Sequence, residues 1–212
     1  MLISPSVLNS NLGRLSEEIS KVEGVADLIH LDVMDNHFVP NLSFGLPVVA
    51  GVIAQTSLPV DVHLMIDDPD RWAPAYGEAG AYSVTFHIEA AKDPLTLSKN
   101  ISATGARVAA ALKPGTDLDS LDGLIEHLDM ILIMTVEPGF GGQAFMYDMM
   151  PKITRARELS GAQMWIEVDG GVSQNTITDC KEAGANVFVA GSCVYSNPDP
   201  AQVVRDLKAL VE

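Results

Sequence analysis

Short apolar runs alternate with amphipathic segments along the chain. Several runs are near-continuous Val, Ile and Leu, which is typical of strands buried on both faces. We therefore predict eight strands, at Leu2–Ser4, Asp27–Leu31, Val60–Leu64, Tyr82–His87, Arg107–Leu112, Met130–Val136, Met164–Val168 and Val187–Ala190.

The intervening segments predict helices, because their apolar residues recur every three or four positions and would share one buried face. The first such face, behind the cap candidates Ser10 and Asn11, consists of Leu12, Leu15, Ile19 and Val22. A second face consists of Leu118, Leu121, Ile125 and Leu128. A third helix is predicted between a Ser173 cap and Gly184, and further helix starts are predicted at Pro47, Pro94 and Pro200.

This alternation predicts the fold. Eight strand–helix units in 212 residues leave about 26 residues per unit, which is close to the minimum for a parallel strand and its crossover. We predict an α/β protein, a single (β/α)8 TIM barrel that spans residues 1–212 as one catalytic domain. An open doubly wound sheet is the alternative. Two long connections, Asp32–Gly45 and Glu137–Tyr147, would lie at the C-terminal face of the barrel and are lid candidates.

Charge narrows the range of partners. The chain has 13 basic and 28 acidic residues, a formal net charge of −15. Such a surface repels nucleic acid and anionic membranes, so neither is an expected partner. The N-terminus lacks the features of a signal peptide, and the two cysteines cannot form a disulfide framework. We expect a cytoplasmic location, with Cys180 and Cys193 as small buried residues.

Candidate metal ligands lie at three strand ends. His30 and Asp32 are two residues apart and therefore share one strand face, while His63 and Asp169 end the third and seventh strands. Such a set of nitrogen and oxygen ligands suits Zn, Mn, Fe or Co. Taken singly, a strand histidine is more often a core residue, and a terminal aspartate more often a cap. Convergence at one barrel mouth favours a metal site.

Glycines follow three successive strands. They occur in Glu137–Gln143, in Asp169–Val172 and after Ala190, and these loops contain no Lys or Arg. Loops after the last two strands of such barrels often bind phosphate through backbone N–H groups. The alternative is that these glycines serve only tight turns.

Five segments resemble the ribulose-phosphate 3-epimerase family, in matching order and spacing between Ile3 and Ser192. They are Ser4–Leu8 (SPSVL), His30–Asn41 (HLDVMDNHFVPN), Asp61–Met65 (DVHLM), Met134–Gln143 (MTVEPGFGGQ) and Glu167–Gly171 (EVDGG). Asn36 stands where many members have Gly, and Asn tolerates the positive φ that such a position requires.

The resemblance implies roles for these residues. Asp32 and Asp169 would be the paired acid and base, and one divalent ion would be bound by His30, Asp32, His63 and Asp169, with Zn the first candidate and Mn, Fe or Co the others. The implied substrate contacts are Ser6, His63, Gly139, Phe140, Gly141, Gly142, Asp169, Gly170, Gly171, Gly191 and Ser192. Met34, Met65 and Met134 would surround the reaction centre, although a plain core role is also open. His87 could bond a metal ligand or be purely structural.

The resemblance also implies a reaction, the interconversion of D-ribulose 5-phosphate and D-xylulose 5-phosphate by proton transfer at C3, in the pentose phosphate pathway. The partner would be a small phosphorylated ketose, and the protein a homo-oligomer, dimer or hexamer. One alternative is a 3-epimerase of a hexulose 6-phosphate such as allulose 6-phosphate. Another is a non-catalytic phosphosugar-binding barrel. An orotidine-monophosphate-type decarboxylase is disfavoured, because His63 stands where its catalytic Lys would be.

Overall fold

Eight parallel strands form a single sheet in the computed structural model, which describes residues 1–212. The strands are β1 (Leu2–Pro5), β2 (Ile29–Met34), β3 (Val60–Met65), β4 (Ser83–His87), β5 (Arg107–Leu112), β6 (Met130–Met134), β7 (Trp165–Asp169) and β8 (Val187–Ala190). Their order is β1-β8-β7-β6-β5-β4-β3-β2, and every ladder is parallel. The predicted (β/α)8 barrel is confirmed, and the eight predicted strands all occur.

The barrel closes between β1 and β2, where a regular ladder is missing. A single bridge joins Ser6 to His30. Below it, the Asp27 side chain accepts a hydrogen bond of 2.8 Å from the backbone N–H of Ile3. The other Asp27 oxygen lies 2.8 Å from Lys208 Nζ. We call this β1–β2 junction the seam. It is held by that bridge, by the Asp27 side chain, and by backbone hydrogen bonds from Asp27 and Leu28 to the Ile3 carbonyl oxygen.

Eight α-helices surround the strands. They are α1 (Leu15–Ser20), α2 (Leu46–Ile53), α3 (Pro69–Glu78), α4 (Pro94–Ala103), α5 (Met150–Ser160), α6 (Ile177–Ala183), α7 (Ser192–Tyr195) and α8 (Pro200–Val211). Proline in the first turn confirms the predicted starts at positions 47, 94 and 200. None of the helices is both long and apolar enough to cross a membrane.

Two helix predictions need correction. The face built on Leu118 and Leu128 is not α-helical, because residues 118–121 and 125–127 form two short 3-10 helices. Gly123 lies between them in a left-handed conformation, φ +73°, which ends the first turn. The helix that Gly184 ends begins at Ile177 rather than behind a Ser173 cap. Ser173 instead forms a hydrogen-bonded turn with Thr176, which delays the start of α6.

The two faces of each strand lie in different environments. Leu31, Val62 and Phe86 belong to the apolar core between the strands and the surrounding helices. Their neighbours along the strands fill the barrel interior, which is polar for much of its depth. The buried polar residues of β1 to β4 and β7 are Ser4, His30, Asp32, Asp61, His63, Ser83, Thr85, His87 and Glu167. Polar groups buried this deeply require partners, and these partners define the site.

Candidate active site

Four predicted metal ligands converge at the C-terminal mouth of the barrel. His30, Asp32, His63 and Asp169 each offer one ligand atom, and these atoms all lie within 4.8 Å of one another. His63 Nδ1 lies 3.2 Å from Asp32 Oδ1 and 3.4 Å from Asp169 Oδ2. His30 Nε2 lies 3.2 Å from Asp32 Oδ1. Strand geometry explains why these side chains meet. His30 and Asp32 share one face of β2, and the register of β2 with β3 places His63 opposite Asp32.

Charge pairing sets the protonation of this cluster. Burial alone raises the pKa of Asp32, but the imidazoles of His30 and His63 outweigh it and hold that pKa well below its usual value. Burial lowers the pKa of His30, yet the carboxylates of Asp32 and Asp61 raise it well above the ordinary histidine value. For His63, hydrogen bonds to Asp169 and Asp32 likewise overcome burial and raise the pKa. Interactions within the cluster therefore outweigh burial at all three of these residues.

The residues present fit a divalent cation. His30 Nε2 is fully buried and has no hydrogen-bond partner, although it faces the two aspartates of the cluster. A buried nitrogen without a partner is costly, and coordination to a cation would satisfy it. Two imidazole nitrogens and two carboxylates are the ligand types that Zn and its first-row neighbours bind.

A cleft opens above the cluster. It brings Asp32 together with nearly all of the predicted substrate contacts, namely Ser6, Gly139, Phe140, Gly141, Gly142, Asp169, Gly170, Gly171, Gly191 and Ser192. Met34, Met65 and Met134 also line it and are almost fully buried. His63 is fully buried and lies beneath the cleft rather than in its wall. No Lys or Arg lines the cleft, so an anion would meet only N–H and hydroxyl donors.

Two glycines allow close packing of the loops that line the cleft. Gly171 has φ +68°, and a Cβ there would lie 2.7 Å from the backbone nitrogen of Phe145 in the connection after β6. A Cβ at Gly191 would lie 2.7 Å from Oδ1 of Asn9. Glycine at these two positions lets the loops after β6, β7 and β8 approach one another and the segment after β1.

Several polar residues of the site lie outside the predicted set. Asn9 and Gln143 line the cleft, and no motif pointed to Asn9. Asp61 and Glu167 lie directly below the cluster in the barrel interior, both fully buried. Each precedes a predicted ligand, His63 or Asp169, by two residues, so strand alternation could have found them.

Below the cluster, His30 and Asp61 form a close pair. Nδ1 of His30 lies 2.7 Å from Asp61 Oδ2. Glu167 has neither carboxylate oxygen paired, and burial together with the nearby Asp61 raises its pKa well above the usual value. The barrel interior thus disfavours a charge on Glu167.

Beside the cluster, His87 contacts His63. The Nε2 atoms of the two rings are 3.0 Å apart, and His87 Nδ1 lies 3.0 Å from Glu89 Oε2. Burial lowers the pKa of His87 to about 4, so this imidazole is neutral at pH 7. Two roles were left open for His87, a bond to a metal ligand or a purely structural role. Its contact with His63, a candidate ligand, matches the first.

Sequence comparisons identify the family. The family described as "Ribulose-phosphate 3 epimerase family" matches residues 2–195. The chain belongs to the ribulose-phosphate 3-epimerase family. The Mycobacterium tuberculosis (strain H37Rv) ribulose-phosphate 3-epimerase is 49% identical over 210 residues, covering 98% of this chain and 91% of that protein. The Bacillus subtilis (strain 168) ribulose-phosphate 3-epimerase is 41% identical over 211 residues, covering 97% of each chain.

Membership of the ribulose-phosphate 3-epimerase family makes the protein an isomerase, as predicted.

Solved structures of lower identity share the fold. KGPDC from Streptococcus mutans in complex with D-R5P superposes with a TM-score of 0.82 at 16% identity, covering 99% of this chain and 96% of that one. A 3-hexulose-6-phosphate synthase gives a TM-score of 0.73 at 23% identity, covering 100% of both chains.

Proposed function

We propose that this protein is a metal-dependent ribulose-phosphate 3-epimerase that interconverts D-ribulose 5-phosphate and D-xylulose 5-phosphate. The observation that carries the proposal is the pair Asp32 and Asp169, which face one cleft from two different strands beside two buried imidazoles. Curated relatives at 41–49% identity bear the same name. A phosphorylated pentose is also named in the complex of the structural neighbour KGPDC.

Inversion at C3 needs two proton carriers. The two sugars differ only in the configuration at C3, so the proton leaves one face of the carbon and returns to the other. One carboxylate cannot reach both faces, whereas Asp32 on β2 and Asp169 on β7 approach the cleft from different strands. In each cycle one aspartate accepts the C3 proton while the other, already protonated, donates its own. The direction of reaction decides which is the base.

The two aspartates are held differently. Asp32 is almost fully buried, and its Oδ2 accepts a 2.6 Å hydrogen bond from Ser6 Oγ. Asp169 keeps 15% of its side-chain surface exposed to the cleft. Ser6 thus fixes the Asp32 carboxylate, and we assign Ser6 a second role as a substrate contact because it also lines the cleft.

His30, Asp32, His63 and Asp169 would hold the divalent ion, with Zn as the first candidate and Mn, Fe or Co as the others. Such an ion would stabilise the negative charge that develops on the ketone oxygen when the C3 proton leaves. The buried Met34, Met65 and Met134 keep water away from the reacting carbon and offer it a polarisable wall.

The phosphate group would bind to backbone amides. We assign it to Gly170, Gly171, Gly191 and Ser192, beside the loop from Gly139 to Gly142 that carries the exposed Phe140. His63, fully buried beneath the cleft, would act through the ion rather than touch the phosphate. Residues 1–212 form one catalytic domain in this proposal. The cytoplasmic location and a homo-oligomeric state, dimer or hexamer, stay predictions.

The test is an assay of purified protein with D-ribulose 5-phosphate, alongside metal analysis. We expect epimerisation to D-xylulose 5-phosphate, one divalent ion per chain, and loss of activity on chelation that returns with added metal. His63→Ala should lower both metal content and turnover roughly 10-fold or more. Faster turnover of allulose 6-phosphate would favour the hexulose enzyme. No turnover of either sugar would favour the non-catalytic barrel and contradict the proposal.

Aspartate variants test the two-base mechanism. Asp32→Asn and Asp169→Asn keep the side-chain volume but remove a proton carrier, so epimerisation should fall roughly 10²–10⁴-fold in each. In deuterated water, the remaining aspartate can still exchange the C3 proton, so each variant should incorporate deuterium into the starting sugar faster than it forms the epimer. Asp122→Asn, at an exposed position, is the matched control with unchanged activity. Undiminished epimerisation in both site variants would contradict the mechanism.

A further inference from the structure

The two histidines of the cluster face it with different ring nitrogens. His30 presents Nε2, which lies 3.2 Å from Asp32 Oδ1, and His63 presents Nδ1, which lies 3.2 Å from the same oxygen. The other nitrogen of each ring contacts a buried residue outside the cluster. His30 Nδ1 contacts Asp61, and His63 Nε2 contacts His87. The proton position on each ring therefore depends on these two neighbours.

Asp61 determines the proton position on His30. An ionised carboxylate only accepts hydrogen bonds, so His30 Nδ1, 2.7 Å from Asp61 Oδ2, must carry a hydrogen. Asp61 is itself fixed, because its Oδ1 accepts a 2.5 Å bond from Ser83 Oγ on the paired strand β4. A neutral His30 then has its lone pair on Nε2, the buried atom without a partner.

His87 determines the proton position on His63 by a longer chain of bonds. Glu89 accepts at Oε1 from the backbone N–H of Lys113 at 2.7 Å, and its Oε2 lies 3.0 Å from His87 Nδ1. His87 Nδ1 therefore carries a hydrogen, which leaves His87 Nε2 as an acceptor in the neutral ring. The hydrogen between the two rings then belongs to His63 Nε2, 3.0 Å away. A neutral His63 has its lone pair on Nδ1, beside Asp32 and Asp169.

We propose that Asp61 and His87 are positioning residues that hold His30 and His63 in opposite neutral tautomers, so that both rings direct a lone pair at one cation position. The inference rests on the cation site of the proposed function. Neither residue lines the cleft, so neither has a direct part in binding the sugar. Their loss should weaken metal binding rather than substrate binding.

The direct test is long-range ¹H–¹⁵N NMR of zinc-loaded protein with labelled histidine. We expect the protonated nitrogen to be Nδ1 in His30 and Nε2 in His63. Zinc dissociation constants from chelator competition provide a second readout. Asp61→Ala and His87→Ala should weaken zinc binding roughly 10–100-fold, the usual effect of losing such a partner. His87→Gln keeps an acceptor for His63 Nε2 and should restore much of the affinity.

The controls separate positioning from a general structural effect. His127→Gln changes a histidine far from the cluster in sequence, on a short 3-10 helix, and should leave zinc affinity unchanged. The same protonated nitrogen in both His30 and His63, or alanine variants that bind zinc within about twofold of the wild type, would overturn the inference. If the alanine variants fail to fold, the NMR result on the wild type decides. A wild-type protein that binds no zinc or other divalent ion would overturn the cation site and this inference together.

Discussion

Gly171 and Gly142 both have left-handed backbones, yet a side chain would meet different surroundings at each. A Cβ at Gly171 would lie 2.7 Å from the Phe145 backbone, whereas nothing lies within 4 Å of one at Gly142. Gly142→Ala should lose only about 1 kcal/mol of folding stability through backbone strain. Gly171→Ala must also displace the loop after β6, so we expect its sugar-phosphate KM to rise roughly 10-fold or more with metal content intact. Equal KM values for the two variants, from steady-state kinetics, would contradict this.

The thiols should be inert in the folded protein. Burial raises the pKa of Cys180 to about 12, and it also raises the pKa of Cys193, whose Sγ lies 3.3 Å from the Val172 carbonyl oxygen. Because the thiolate is the reacting form, iodoacetamide at about pH 8 should leave both cysteines unmodified in native protein. Mass spectrometry should show two labels per chain after unfolding in guanidinium. Rapid labelling of native Cys180 would contradict this prediction.

The sequence predicted the site residues that lie within recognisable motifs. The four-residue cluster follows from spacing on strands, because alternation places His30 and Asp32 on one face. Asp61 was missed although the same alternation applies to it, since its role depends on a buried bond to His30. Asn9 was missed for another reason: its position against Gly191 depends on how distant loops pack, which local pattern does not encode.

At the element scale, the contact between α3 and α4 depends on one glycine. A Cβ at Gly77 would overlap the Thr104 side chain at the end of α4. Gly77→Ala should therefore destabilise the protein by about 1–3 kcal/mol through overpacking. Gly51→Ala is the matched control in α2, where a Cβ meets nothing within 4 Å, and should stabilise by up to about 1 kcal/mol. Urea unfolding measures both, and a stabilised Gly77→Ala variant would contradict the packing argument.

The strands were predicted more accurately than the helices. Buried parallel strands such as β6 read as continuous apolar runs, and their order follows from the barrel topology. The predicted helix over Leu118–Leu128 failed although its apolar spacing is helical and Leu118, Leu121 and Leu128 are buried. Gly123 breaks it, because two short 3-10 turns can bury the same leucines without a continuous hydrogen-bonded helix.

At the scale of the whole molecule, the protein and its proposed sugar-phosphate substrate both carry negative charge. The chain carries a formal charge of −15, and no Lys or Arg lines the cleft. Screening should therefore weaken long-range repulsion without breaking any cation–phosphate pair. We expect the KM for ribulose 5-phosphate to fall or stay level as KCl rises from about 20 to 200 mM. A KM that rises steeply with salt would indicate a basic phosphate site and contradict amide binding.

The seam has a consequence for how the barrel and its cation depend on each other. Asp32 lies on β2, one of the two strands that meet there, and Ser6 reaches it from the β1 side of the junction. Two proposed ligands, His30 and Asp32, thus belong to an edge strand, while Asp169 belongs to β7 on the far side of β1 and β8. An ion bound to all of them would bridge the seam, where the ring of strands has no regular ladder. Metal binding would then stabilise the closed barrel. Metal-loaded protein should therefore resist local opening at the seam better than metal-free protein.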